Sequence, residues 1–164
     1  MDKKNQSILY HPIGIIHTPY KEASGTPIQP IAAPESEATI EVFFEYAEGL
    51  TDIGEFSHLI LIYHMHLVKT SQLKLIPFLS NEEHGVFSTR APGRPNPIGF
   101  SVVKLEKVNG NLLFITGIDI IDGSPLLDIK PFIPAFDGRS ADKTGWFHET
   151  IDKISKIKDD GRFC

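Results

Sequence analysis

The chain lacks the features that mark several common protein classes. Its 164 residues hold one cysteine, Cys164, at the last position. That excludes an internal disulfide and a thiolate zinc site, and makes a reducing cytoplasm the expected setting. No apolar run is long: "LILIY" at 59–63 falls far short of the roughly 20 residues a membrane helix needs, so no membrane partner is expected. The opening "MDKKNQSILYHPIG" has lysines but no sustained apolar segment or small-residue cleavage site, and does not read as a signal peptide. The 13 glycines never form G-x-G-x-x-G or G-x-x-x-x-G-K, and no G-x-S-x-G occurs. A nucleotide fingerprint and a serine-nucleophile elbow are thereby excluded at the level of motif. Basic charge is also lacking. With a formal net charge of −5, a nucleic-acid partner would need a local basic patch.

What remains is an ordinary soluble composition, 41% hydrophobic and 23% charged, on a length that suits one domain. The patterning is mostly β. "ATIEVFFEY" (38–46) sets Ile40, Val42 and Phe44 on one face, with Thr39, Glu41 and Glu45 opposite. "SHLILIYHMH" (57–66) is apolar on both faces near its middle and reads as a central strand. "FSVVKLEKV" and "NLLFITGIDI" flank Asn109-Gly110, which predicts a hairpin on a type I′ turn. Asp122-Gly123 repeats the device before "SPLLDIKPFIP". Late in the chain, "WFHETIDKISKIKDD" places Phe147, Ile151, Ile154 and Lys158 at helical spacing, which predicts a short C-terminal helix with a basic outer face. Many short strands with tight turns predict a mainly β fold, a single closed or nearly closed β-barrel over 1–137. Residues 138–164 are expected to form a short helical extension.

The stretch "STRAPGRPNPIG" (88–99) carries the most unusual chemistry. Each X-Pro bond keeps the residue before it extended, so Arg90 and Arg94 hang from a stiff frame that loses little order on binding. Such arginines suit an anion or a planar heterocycle; equally, they suit ion pairs inside a rigid structural crossover. Three histidines, His58, His64 and His66, fall on one strand face. His64-x-His66 has the look of a metal pair, but no third ligand is visible nearby and no metal is expected.

The segments "PIGIIHTPYKE", "IQP", "FSHLILIYHMH", "GVFSTRAPGRPNPIGFSVVKLEKV" and "GIDIIDGSPLLDIKPFIP" together resemble the TrmO family, in order, over nearly everything from Pro12 to Pro134. The resemblance implies a β-barrel S-adenosylmethionine (SAM)-dependent tRNA N6-methyltransferase. It further implies that the substrate is N6-threonylcarbamoyladenosine next to the anticodon of a threonine-type tRNA, and that a homodimer binds the donor near its subunit interface. Carried over residue by residue, the donor pocket falls on Pro30, Ile31 and Ala32, on His66 and Leu67, on Arg90, and on Ser124, Pro125, Leu126 and Leu127.

A carbamoylated nitrogen is a weak nucleophile and must lose a proton, for which Asp119, Asp122 and Asp128 are the candidate bases in the matching segment. Each is equally plausible as a turn former or cap. The tRNA candidates are Arg94, Asn96, Lys69 and Lys130, with Arg90, Lys74 and the lysines at 153, 156 and 158 completing a basic patch. Truncation after Pro134 is accordingly expected to weaken tRNA affinity and spare donor binding.

Two features depart from the family pattern. Gly93 stands where a bulkier residue, often histidine, is common, and longer members carry a second C-terminal domain where only about thirty residues follow Pro134 here. Three other readings stay open: a SAM-binding regulatory or interaction module without transfer, a methyltransferase acting on another adenosine-containing acceptor, and a metal-dependent barrel enzyme resting on His64 and His66.

Overall fold

A computed structural model describes residues 7–164. Eight strands follow one another: β1 (Gly14–His17), β2 (Glu37–Val42), β3 (His58–His64), β4 (Lys74–Leu75), β5 (His84–Gly85), β6 (Ile98–Asn109), β7 (Leu112–Thr116) and β8 (Ser124–Pro131). Six of them close a barrel in the order β1-β2-β7-β6-β3-β8, and every neighbouring pair is antiparallel. The short pair β4–β5 stands apart as a two-stranded ribbon. Closure removes the exposed edges that an open sheet of this length would present.

The two-residue period fills the barrel. Ile16, Ile40, Leu59, Leu61, Leu113, Ile115 and Leu126 point inward and are essentially inaccessible. Each such side chain contributes roughly 1.5–3 kcal/mol on burial. β3, between β6 and β8, also buries the intervening Ile60, which is the two-sided apolarity its sequence predicts. Gly14 marks a close crossing: a methyl group there would collide with the Glu41 carbonyl of β2.

Four local expectations are corrected. β2 ends at Val42, and Phe44 begins a 3-10 turn (Phe44–Leu50) with its ring 87% exposed rather than on the core face. The hairpin pairs Asn109 with Leu112, so its central residues are Gly110 and Asn111, one position later than expected. Only Gly110 has positive φ, +60°, which suits a II′-type turn and not I′. At the second turn Gly123 alone is left-handed, φ +75°, the requirement of a type II turn with glycine third. The C-terminal segment forms two 3-10 helices, Gly145–Glu149 and Ile151–Lys156, broken at Thr150, in place of one α-helix. The side chains of Ile151 and Lys156, which belonged to that expectation, lie outside the described residues. Among the described residues one turn is α-helical, Pro134–Asp137 (α1), and the Asp137 carboxylate accepts from the amide of the preceding Ile133 at 2.7 Å.

The C-terminal segment packs back on the loops beside the barrel. Lys158 pairs with Pro27, and the Asp159 backbone bonds to Gly25 and Thr26. Trp146 Nε1 donates to the Ser88 carbonyl at 2.9 Å, and Phe163 packs against a small cluster of Leu75, Val86 and Ala91.

Candidate functional site at the barrel mouth

Along β6 the inward residues run Leu105, Val103, Ser101, Gly99, so the apolar fill gives way to small and polar groups toward one end. At that end opens a cavity of about 650 Å³. Its walls come from the barrel rim (Tyr63, Gly99, Asp119, Ser124), the segment after β3 (Met65 to Val68), the Thr26–Gln29 loop, the proline loop (Arg90, Ala91, Pro92, Arg94) and the C-terminal segment (Trp146, Phe147, Ile154, Asp159).

A chain of hydroxyls leads to a carboxylate at the floor. Ser101 Oγ donates to Asp119 Oδ1 at 2.7 Å and lies 3.4 Å from Tyr63 Oη. The single serine proton is used on Asp119, so the tyrosine proton points at the serine. Burial, then the charge of Asp119, raises the Tyr63 pKa, and the phenol stays protonated. Burial also pushes the Asp119 carboxyl up to about 6, against the bond from Ser101 and the positive charge of Arg90. Asp119 is only half-buried and opens onto the cavity. The Tyr63 ring lies over Gly99, its partner across the strands; any Cβ at 99 would fall inside that ring.

At the rim, His66 Nδ1 sits 3.3 Å from Ser124 Oγ, whose proton goes to the Ile121 carbonyl at 2.7 Å. His66 must therefore donate from Nδ1, which leaves Nε2 as an acceptor. Burial and the neighbouring His64 lower its pKa, so the ring is neutral at pH 7. Arg90 Nη1 donates to Gln29 Oε1 at 2.9 Å and has no carboxylate partner among the described residues. Arg94 instead turns into its own loop, 3.4 Å from the carbonyls of Thr89 and Ala91. The Gly93 carbonyl is tied to Gln72.

Of the residues singled out in the sequence, His66, Leu67, Arg90, Arg94, Ser124 and Asp119 line the cavity together. Pro30, Ile31 and Ala32 form a 3-10 turn directly after Gln29, with Ile31 74% exposed and outside the cavity lining. Leu126 is sealed in the core, and Pro125 and Leu127 are half-buried beside it on β8. Asp122 is occupied by the Thr18 amide at 2.9 Å and Lys21 at 2.7 Å. Asp128 pairs with Lys130 at 2.6 Å beside a separate hollow that Tyr46 and Leu50 also line. Lys69 and Asn96 are exposed, and Lys74 lies 3.9 Å from Glu83.

Among the described residues no cluster of three His, Cys, Asp or Glu could hold a metal ion. No helix among them is long and apolar enough to cross a membrane. Sequence reasoning missed Tyr63, Ser101, Trp146 and Phe147. For Ser101 the signal was present: a serine in the inward register of an otherwise apolar strand.

The profile of the tRNA-methyltransferase O N-terminal domain matches residues 15–138. The chain belongs to the TrmO family. A probable S-adenosyl-L-methionine-binding protein of Pyrococcus abyssi is 56% identical over 156 residues, covering 95% of this chain and 85% of the relative. A mouse tRNA (adenine(37)-N6)-methyltransferase is 38% identical over 139 residues, 80% of this chain and 32% of that protein. The crystal structure of TrmO from Pseudomonas aeruginosa matches with a TM-score of 0.71 and 35% identity, over 86% of this chain and 63% of its own. The chain thus spans less than two thirds of that TrmO and about a third of the mouse enzyme.

Proposed function

We propose that this TrmO-family chain is a SAM-dependent tRNA N6-methyltransferase whose acceptor is threonylcarbamoyladenosine next to the anticodon. The observation that carries this is the cavity itself. It has the size of a small-molecule site, a mostly apolar lining, and a few convergent polar groups. The donor set fits SAM. Arg90, which has a neutral partner and no carboxylate, can take a carboxylate in charge-assisted hydrogen bonds. His66 Nε2 is an acceptor for an amino group, and the apolar Met65, Leu67 and Ile121 suit a ring and a thioether. When bound, SAM supplies an electrophilic methyl group on a sulfonium.

The chain contributes position and dryness. The stiff proline loop holds Arg90, the barrel rim fixes the floor, and Trp146 and Phe147 close one side. Ile98 and Phe100, 44% and 55% exposed, leave an apolar patch on β6 at the same rim. That patch supports a homodimer whose second copy covers the donor site. tRNA would approach through Arg90, Lys69 and the C-terminal lysines at 153 and 158, with binding that weakens as salt rises. The cytoplasm is the compartment proposed.

Mass analysis of nucleosides from tRNA of cells with and without the gene tests the reaction and the acceptor together. Loss of the N6-methylated threonylcarbamoyl nucleoside on deletion is expected. A second reading, a SAM-binding module without transfer, draws on the Pyrococcus relative being named only for binding. Unchanged tRNA together with calorimetric SAM binding would establish that reading instead.

A further inference from the structure

Resting on that functional reading, we propose that Asp119 is the general base of the methyl transfer, with Ser101 and Tyr63 as the residues that position it. Of the three aspartates in the matching segment, only Asp119 reaches the cavity. Asp122 and Asp128 are taken up by Lys21 and Lys130. The other carboxylate on the cavity wall, Asp159, accepts from the Gly161 amide at 2.7 Å while its backbone joins Gly25 and Thr26, so it closes a turn. Asp119 receives one side-chain hydrogen bond among the described residues, from Ser101 to Oδ1, and its own backbone amide adds to the stabilisation of the charged form; the carboxylate keeps further acceptor capacity on the cavity side.

Ser101 is 2% exposed inside an apolar barrel, where leucine or valine would fill the space better. Its hydroxyl faces Tyr63 and Asp119 and serves to aim that carboxylate. The titratable and charged groups acting on Asp119 are Tyr63 from β3 and Arg90 from the proline loop.

Charge decides between Asp119 and His66, the other proton acceptor in the cavity. Beside Arg90 and a bound sulfonium, a neutral imidazole would have to become a third cation. A carboxylate in the same place neutralises charge as it reacts, which a low-dielectric cavity favours. In the step itself the N6 electron pair forms the bond to the methyl carbon, and the C–S bond breaks with its pair going to sulfur. The N6 proton passes to Asp119. Sulfonium and carboxylate are consumed together, and thioether, N-methyl product and carboxylic acid result.

The test combines kinetics with titration of the protein free of donor. Asp119→Asn is expected to lower kcat by about 10²-fold or more while calorimetric affinity for SAM is kept. For the unaltered enzyme, kcat/KM should rise with pH through an inflection near 6 and level off above it. The inflection in kcat should lie lower, because a bound cation favours the carboxylate. Ser101→Ala removes a bond to the charged form and should move the kcat/KM inflection upward by about half a unit or more. Carboxyl NMR titration of the free protein should show the same upward displacement, which a purely structural serine would not produce. Full activity of Asp119→Asn in an assay where the unaltered enzyme methylates tRNA would overturn this assignment alone. An unaltered enzyme that binds SAM but methylates no tRNA would overturn the functional reading and this assignment with it.

Discussion

Asp119→Asn should stabilise the protein that it disables. A carboxyl that titrates near 6 when folded, against 3.8 in an unconstrained chain, holds its proton more tightly in the native state. Ionising it therefore opposes folding. Below about pH 4 both states are protonated and the opposition vanishes; it grows as pH rises to about 6 and is constant above. A shift of that size corresponds to a penalty of about 3 kcal/mol at neutral pH. Asp119 is half-buried and opens onto the cavity, which lowers the penalty to about 1.5–3 kcal/mol. Asparagine keeps the shape and still accepts the Ser101 proton, and it has no charge to desolvate. For a chain of this length 1 kcal/mol moves Tm by about 2–4 °C. Calorimetry at pH 7.5 should then show the variant melting about 3–12 °C higher, with the gap closing toward pH 4. An equal or lower Tm at pH 7.5, or a gap of the same size at both pH values, would refute the argument that burial burdens this carboxylate.

Three further outcomes follow from the same geometry. Gly99→Ala forces a methyl into the space of the buried Tyr63 ring, so it should cost about 1–3 kcal/mol in denaturant unfolding, and Tyr63→Leu in the same chain should recover most of it. Arg90→Ala removes a group whose one hydrogen-bond partner among the described residues is a neutral glutamine. Tm should move by no more than about 4 °C, as for an exposed arginine worth about 0–1 kcal/mol, while SAM affinity by calorimetry falls about tenfold or more, as for a charge-assisted bond worth about 1.5–3 kcal/mol. Truncation after Pro134, expected from the sequence to spare donor binding, should instead abolish it in the same titration, because Trp146, Phe147, Ile154 and Asp159 form one wall of the cavity; a truncated barrel that folds and keeps full donor affinity would refute that.

The barrel was legible because its signals are local. Alternating residues such as Ile40 and Val42, or Val103 and Leu105, state their face in the sequence, and a two-sided apolar run such as 59–63 states a central position. The misjudged details share one cause: turn chemistry was inferred from a dipeptide, whereas register was set by longer-range pairing. Asn109 fits an I′ turn by composition, but its pairing with Leu112 moved the turn onto Gly110 and Asn111. Phe44 continues the alternation of β2 past Val42, yet the Phe43 amide bonds back to Ile13 and the chain turns into a 3-10 helix there. The C-terminal helix failed for a related reason. Its apolar residues are spaced for an α-helix, but Trp146 and Phe147 stack on each other at 3.8 Å and Trp146 stacks on His84 at 4.5 Å. Packing against the ribbon and the proline loop prevailed over local periodicity.

The site was legible only in pieces, since no single stretch encodes a cavity assembled from segments far apart in the chain. Arg90 stood out because proline stiffness and charge coincide there, and the structure separates it from Arg94: both line the cavity, but Arg90 reaches across to Gln29 whereas Arg94 braces its own loop. No local rule separated Asp119 from Asp122, because "DIID" offers two aspartates three positions apart. The separation is made by partners distant in sequence. Thr18 and Lys21 claim Asp122, whereas Asp119 meets a serine 18 positions earlier on β6. The same geometry explains why a barrel interior would tolerate Ser101, Gly99 and a reluctant carboxylate at one end. Leucines further down the barrel supply the stability that these residues give up, and that margin permits an ionised Asp119 to persist at neutral pH beside a cavity able to use it.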